Sequence, residues 1–338
     1  AHDRHTDWFC SLAAEGERGV RGDRAKWWRA RMQSELANLR AVLDRLLVAR
    51  DADRGLMLLG DLWRFMQSAG HLIELDRRLD RFFALPEADD QTLGRAKGLM
   101  ARAAVRYWRS EAQPAITNYE EAVAIARGLG DDWLVAEALF GLGTSYNLAQ
   151  REDDAIVALD EAERLYRASG DVGAQADVLG AKLYYRILET GPSGLDGEFQ
   201  VVEQMERDAG RTAQVVHAIF ARAGLAVAEH RHLDARATAL EGLAIAEELG
   251  DRHLIAWGLE WQAMAEVELG ETARAGLLIG AGERARRTHG GGWSPAVLGI
   301  DDAPTRLRAA IGEEAAEEAT AAGRELSLEA GLDIARRL

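Results

Sequence analysis

The chain has 338 residues, 48% of them hydrophobic and 29% charged, with a formal charge of −15 and a single cysteine. That charge argues against wholesale nucleic-acid binding, because phosphate contacts need clustered Lys and Arg, and the lone Cys10 excludes an internal disulfide framework and most thiolate metal sites. No uncharged stretch approaches the roughly twenty residues that span a bilayer and no basic-then-apolar leader opens the chain, so a soluble, cytoplasmic protein is expected.

Taken in chain order, residues 1–19 read as a helix carrying Trp8, Phe9 and Leu12, and a longer helix follows from about Asp23 to Ala49. Trp28, Met32, Leu36, Leu39, Leu43, Leu46 and Leu47 recur at helical spacing and give that second helix one apolar stripe. Residues 18–50 hold eight Arg and one Lys against Asp23, Glu35 and Asp44. This basic segment either docks a partner or pairs with carboxylates of the segments that follow.

From residue 56 the chain becomes periodic. Gly130, Gly170, Gly210, Gly250 and Gly290 stand forty residues apart, and three of them open a Gly-Asp pair, at Asp131, Asp171 and Asp251. Each interval is rich in Ala, Leu, Glu and Arg, so each reads as two amphipathic helices, with glycine ending one pair and aspartate capping the next. Units starting near residues 56, 96, 136, 176, 216 and 256 align small residues in columns. The eighth position holds Ala103, Gly143, Ala223 and Ala263, the twentieth Ala115, Ala155, Ala235 and Ala275, and the twenty-seventh Ala122, Ala162, Gly242 and Gly282. The units at 56 and 176 depart from the pattern, with Trp63 and Leu183 in the eighth column. Thr190-Gly191-Pro192-Ser193-Gly194 predicts a longer loop inside the fourth unit, and a second break, His289-Gly290-Gly291-Gly292-Trp293-Ser294-Pro295, ends the repeats. Two closing helices are expected, Pro304 to Ala322 and Ser327 to Leu338, the latter with Ser327 as N-cap.

The column spacing resembles the tetratricopeptide repeat, best at Leu142-Gly143, Tyr146, Ala155 and Ala162, with a period of forty in place of thirty-four. The expected fold is therefore an all-α, tetratricopeptide-like right-handed α-solenoid of about six helix pairs: capping helices over 1–55, repeats over 56–290 and closing helices over 291–338. The early segment, Trp28, Met32, Glu35, Asn38-Leu39-Arg40 and then Leu62-Trp63-Arg64-Phe65, together with the tail Glu325-Leu326-Ser327-Leu328, is similar to the sensor region of large LuxR-type and SARP/AfsR-like transcriptional regulators. That resemblance implies a STAND-class ATPase module and a DNA-binding domain elsewhere on the polypeptide, of which a chain opening at Ala1 would be an excised portion.

Catalytic signatures are missing. Lys26, Lys97 and Lys182 follow no G-x-x-x-x-G-K-[ST] loop, and there is no G-x-S-x-G elbow. His230-Arg231-His232 sits in an inter-helix turn where alternate residues diverge, and Glu152-Asp153-Asp154 reads as a solvated cap. No enzyme activity, metal or cofactor is expected.

A surface remains. In tetratricopeptide arrays positions 2, 5, 9 and 12 of each first helix face the concave side. Carried over here, they are Arg64 and Gln67; Lys97 and Tyr107; Glu137, Phe140, Thr144 and Asn147; Asp177 and Tyr184; His217 and Phe220; Trp257 and Glu260. Aromatics mixed with single charges suit a protein, peptide or small-molecule partner, although the same aromatics also suit the interior of a tight superhelix. The expected role is a binding, non-catalytic sensor domain of an ATP-dependent regulator that contacts a nucleotide-binding module outside this chain, makes no direct contact with nucleic acid or membrane, and has a free-standing scaffold as its alternative.

Overall fold

The computed structural model describes residues 2–290 and 300–337. Among them are seventeen α-helices, one short 3-10 helix (Pro86–Asp89) and no strand. Two N-terminal helices, α1 (His2–Gly19) and α2 (Ala25–Val48), precede the pairs. The first helices of the pairs are α3 (Ala52–Ser68), α5 (Leu93–Trp108), α7 (Asp132–Leu148), α9 (Val172–Thr190), α11 (Thr212–Ala228) and α13 (Arg252–Glu268). Their partners are α4 (Leu72–Phe83), α6 (Ala112–Leu129), α8 (Glu152–Ser169), α10 (Asp196–Asp208), α12 (His232–Leu249) and α14 (Thr272–His289).

The glycine-aspartate rule holds at atomic detail. Gly130, Gly170 and Gly250 cap their helices in the left-handed region at φ +70°, +74° and +65°. The carboxylates behind them accept the backbone N–H three residues on: Asp131 from Leu134 at 3.0 Å, Asp171 from Ala174 at 2.9 Å and Asp251 from Leu254 at 3.0 Å. Asp51 does the same from Arg54 at 3.2 Å, a cap the glycine period does not flag because Arg50, not glycine, precedes it at φ +57°. Arg50 is one of a series. Ser110, Gln150 and His230 also adopt positive φ, at +60°, +57° and +59°, in turns between the two helices of a pair. A left-handed residue thus recurs roughly every half period, and at these positions a side chain tolerates a conformation that disfavours it.

Two compact units make up the chain, Ala1–Val178 and Leu179–Leu338. In the first, α1 and α2 pack on one another and on α3, while α5 to α8 stack in sequence and the first helices α3, α5 and α7 also touch. In the second, α10 to α14 repeat that nearest-neighbour pattern. Ala115, Ala122, Ala155 and Ala162 are fully enclosed, as the small columns require. In the first pair, where Trp63 breaks the column, the close approaches shift to Gly55 and Gly60: a Cβ on Gly60 would stand 2.5 Å from Lys97 Cβ, and one on Gly55 would overlap the Phe82 ring.

The C-terminal region differs from expectation by one helix. Gly312, at φ +85° and ψ 163°, divides the first expected helix into α15 (Ala303–Ile311) and α16 (Glu313–Arg324), and α17 (Leu328–Arg336) follows with Ser327 accepting from the Ala330 N–H at 3.1 Å. Small residues let α16 lie directly on α14: a Cβ on Gly280 would come within 2.2 Å of the Thr320 carbonyl oxygen. The break expected between His289 and Pro295 begins where α14 ends; residues 291–299 lie outside the described residues.

Candidate functional site

In the first unit the expected surface residues fall on α3, α5, α7 and the start of α9, and several converge on one charged cluster. Glu137, buried on α7, accepts from Arg64 at 3.2 Å and from the Tyr166 hydroxyl of α8 at 3.3 Å. The principal donor is Arg21, in the turn between α1 and α2. Its two terminal nitrogens donate to the two Glu137 oxygens at 3.0 and 2.5 Å, one of them lies 2.7 Å from Glu17, and its guanidinium carbon sits 5.5 Å from the Trp133 ring. Burial opposes the charge on Arg21, but the Glu137 and Glu17 carboxylates outweigh it and hold the guanidinium protonated well above its ordinary range. Arg64 is shifted the other way, by burial and by the neighbouring Arg21 charge. Burial also pushes Tyr166 up and raises Tyr107 to about 12, so both phenols stay neutral at physiological pH.

Lys97 crosses from α5 to α3 and donates to buried Asp61 at 2.6 Å; burial lifts the Asp61 carboxyl against the pull of that ammonium. Thr144 turns its hydroxyl into the helix, donating to the Gly141 carbonyl at 2.9 Å, and Asn147 is buried. Gln67, Tyr107, Phe140 and Asp177 are half-buried. Arg21, Glu17 and Tyr166 escaped the sequence reading: the basic segment was visible as a whole, yet nothing in its spacing says which arginine reaches a carboxylate 116 residues away.

The second unit is more apolar. Tyr184 is half-buried with its ring 5.5 Å from that of Phe199. His217 and Phe220 flank Trp257 at 5.0 and 5.3 Å between ring centroids, and Trp261 lies 6.4 Å beyond. Phe220 has no exposed surface, and its ring fills the space left by Gly242 and Gly258. Its expected place on the recognition surface is corrected accordingly: three helices meet over it, and it belongs to the core. Trp257 is 5% exposed. Glu260 pairs with Arg286. Fully enclosed Glu266 accepts from Arg236 at 2.6 Å and from Gln262 at 2.6 Å, with Arg274 at 3.6 Å, tying α12, α13 and α14 together.

The basic segment divides between its two readings. Arg21, Arg40 and Arg50 pair with Glu137, Glu74 and Glu87 in or beside the repeats. Among the described residues Arg24 and Lys26 form no ion pair, and Arg24 lies over the exposed ring of Trp27 at 5.6 Å. The Glu152-Asp153-Asp154 run occupies the first turn of α8, where Asp154 pairs with Arg151. Among the described residues no three His, Cys, Asp or Glu side chains are disposed to hold a metal ion, and no helix is long and apolar enough to cross a membrane.

The family model for the tetratricopeptide repeat matches residues 95–168, from the start of α5 to the end of α8. No curated protein matches the chain significantly. Among solved structures, one described as a Rap protein complexed with Competence and Sporulation Factor is similar with a TM-score of 0.57 and 14% identity, over 98% of this chain and 100% of that one. At that identity the likeness establishes the fold, an all-α stack of tetratricopeptide-like helix pairs, and nothing about chemistry.

Proposed function

We propose that the protein is a protein- or peptide-binding repeat scaffold that acts by binding and not by catalysis. The carrying observation is the first-helix face of the first unit, where Gln67, Tyr107 and Phe140 stay partly exposed beside buried Glu137 and the half-buried Arg21 and Arg64 that pair with it. Half-buried aromatics around desolvated charges are the composition that anchors partners. The tetratricopeptide match and the partner-bound Rap structure support the same reading.

The finer reading is a sensor region of an ATP-dependent transcriptional regulator, in which partner binding biases a nucleotide-binding module outside this chain between two states. A free-standing tetratricopeptide scaffold that assembles other proteins is the alternative. A displayed random-peptide library selected on the protein tests the first statement: binders that lose about tenfold in affinity or more against Phe140→Ala support it, and a library that enriches nothing overturns it. The genomic sequence on either side tests the second, since a P-loop upstream and a helix-turn-helix at one end are required.

A further inference from the structure

The turn joining α1 and α2 is built to enter the first unit. A Cβ on Gly16 would stand 2.8 Å from Met32 Sδ and one on Gly19 would overlap the Trp28 ring, so two glycines bring α1 close against α2 and fix where the turn emerges. Arg21 then projects from it onto Glu137. The receiving site has the features of a guanidinium pocket: a carboxylate taking both terminal nitrogens, the Tyr166 hydroxyl fixing that carboxylate, and the Trp133 face alongside. Yet the resident cation is incompletely satisfied. Arg21 Nε and Arg64 Nε are both enclosed without a hydrogen-bond acceptor. Two guanidiniums share Glu137, with Glu17 2.7 Å from Arg21 and 3.8 Å from Arg64, and Arg64 is the weaker partner of Glu137 at 3.2 Å. A largely enclosed ion pair with unmet donors is weak evidence for stability, and the best-attested use of such pairs is to define a register or a switch.

We propose that Glu137, Tyr166 and Trp133 form a guanidinium-binding site whose occupant in this state is the chain's own Arg21, and that a basic side chain on an entering partner takes its place and releases the α1–α2 turn. This deepens the reading of the first-helix face as the partner surface and rests on it. Occupancy would then be coupled to the position of the basic N-terminal helices.

Chemical rescue tests the site without any partner. Arg21→Ala vacates the Arg21 position while Arg64 keeps its 3.2 Å contact with Glu137, and millimolar ethylguanidinium should raise the variant's melting temperature while leaving the parent unmoved; ethylammonium, which lacks the fork, should do nothing. The double variant Arg21→Ala/Glu137→Gln should not respond. A folded Arg21→Ala protein that ignores ethylguanidinium, or a double variant that responds equally, overturns the proposal. Should Arg21→Ala fail to fold, Arg21→Lys is measured by hydrogen exchange, where amides of residues 16–24 should exchange about tenfold faster with α12 and α13 unchanged; unaltered exchange at 16–24 refutes it. These results are independent of the peptide selection, so a silent library with successful rescue removes the partner reading and leaves the site.

Discussion

Two glycines in the first unit give opposite expectations for one substitution. Gly128, exposed in α6, has nothing within 4 Å of where a Cβ would stand. Alanine there should stabilise by about 0.5–1 kcal/mol, the ordinary gain in helix propensity. Gly141, buried in α7, receives the same gain but faces the Tyr119 ring: a Cβ would stand 2.3 Å from Cζ, 2.4 Å from Cε1 and 2.7 Å from the hydroxyl oxygen. Tyr119 is 7% exposed, and a rigid ring cannot fold away as an aliphatic tip can, so it must retreat by about 1 Å. Overpacking of this kind costs roughly 1–3 kcal/mol, and contact with three ring atoms puts it at the upper end. The net expectation for Gly141→Ala is a loss of about 2 kcal/mol, or roughly 4–8 °C in melting temperature for a unit of this size. Urea and thermal unfolding of both variants beside the parent measure it. A Gly141→Ala protein as stable as Gly128→Ala would refute the register of α7 on α6, and with it the placement of Glu137 and Phe140.

Core and surface aromatics should separate in the same assays. Phe220→Ala should cost about 3–5 kcal/mol of stability, whereas Phe140→Ala should change the melting temperature little and act on partner affinity; equal losses would merge the two classes. Burial, together with the nearby His289 charge, pushes His253 down to about 4, so the folded state resists a proton that the unfolded chain accepts near 6.5. Its contribution is intact above pH 6.5 and should shrink by about 1–3 kcal/mol as pH falls toward 4; urea midpoints at pH 7 and 4.5 should therefore diverge more for the parent than for His253→Asn, and parallel behaviour would discount that histidine. Replacing the left-handed Gln150 or His230 by glycine should stabilise by about 0.5–1 kcal/mol, since a side chain at φ near +58° carries a cost that glycine escapes. Denaturant midpoints below the parent's would show that those side chains hold contacts worth more than the strain.

Local rules account for what could be read from the amino-acid order. A left-handed residue needs glycine most of the time and an orphan N–H needs a carboxylate, so Gly130-Asp131, Gly170-Asp171 and Gly250-Asp251 announce helix ends from within a few residues. Helix crossings need small side chains, which is why Ala115, Ala155 and Ala162 set the phase of the pairs. Gly312, which splits the region beyond residue 300, is not legible as a break because one glycine within a helical pattern does not say whether the helix continues. The surface was legible only as a set of positions. Whether an aromatic at such a position faces water or core depends on partners far away in the chain: Phe220 is enclosed because Gly242 and Gly258 make room for its ring, while Phe140, at the same register, stays partly exposed. The Arg21–Glu137 pair is the extreme case. Ion pairing is decided by which side chains the packed helices bring within a few ångströms, and over 116 residues of separation only the tertiary structure makes that choice.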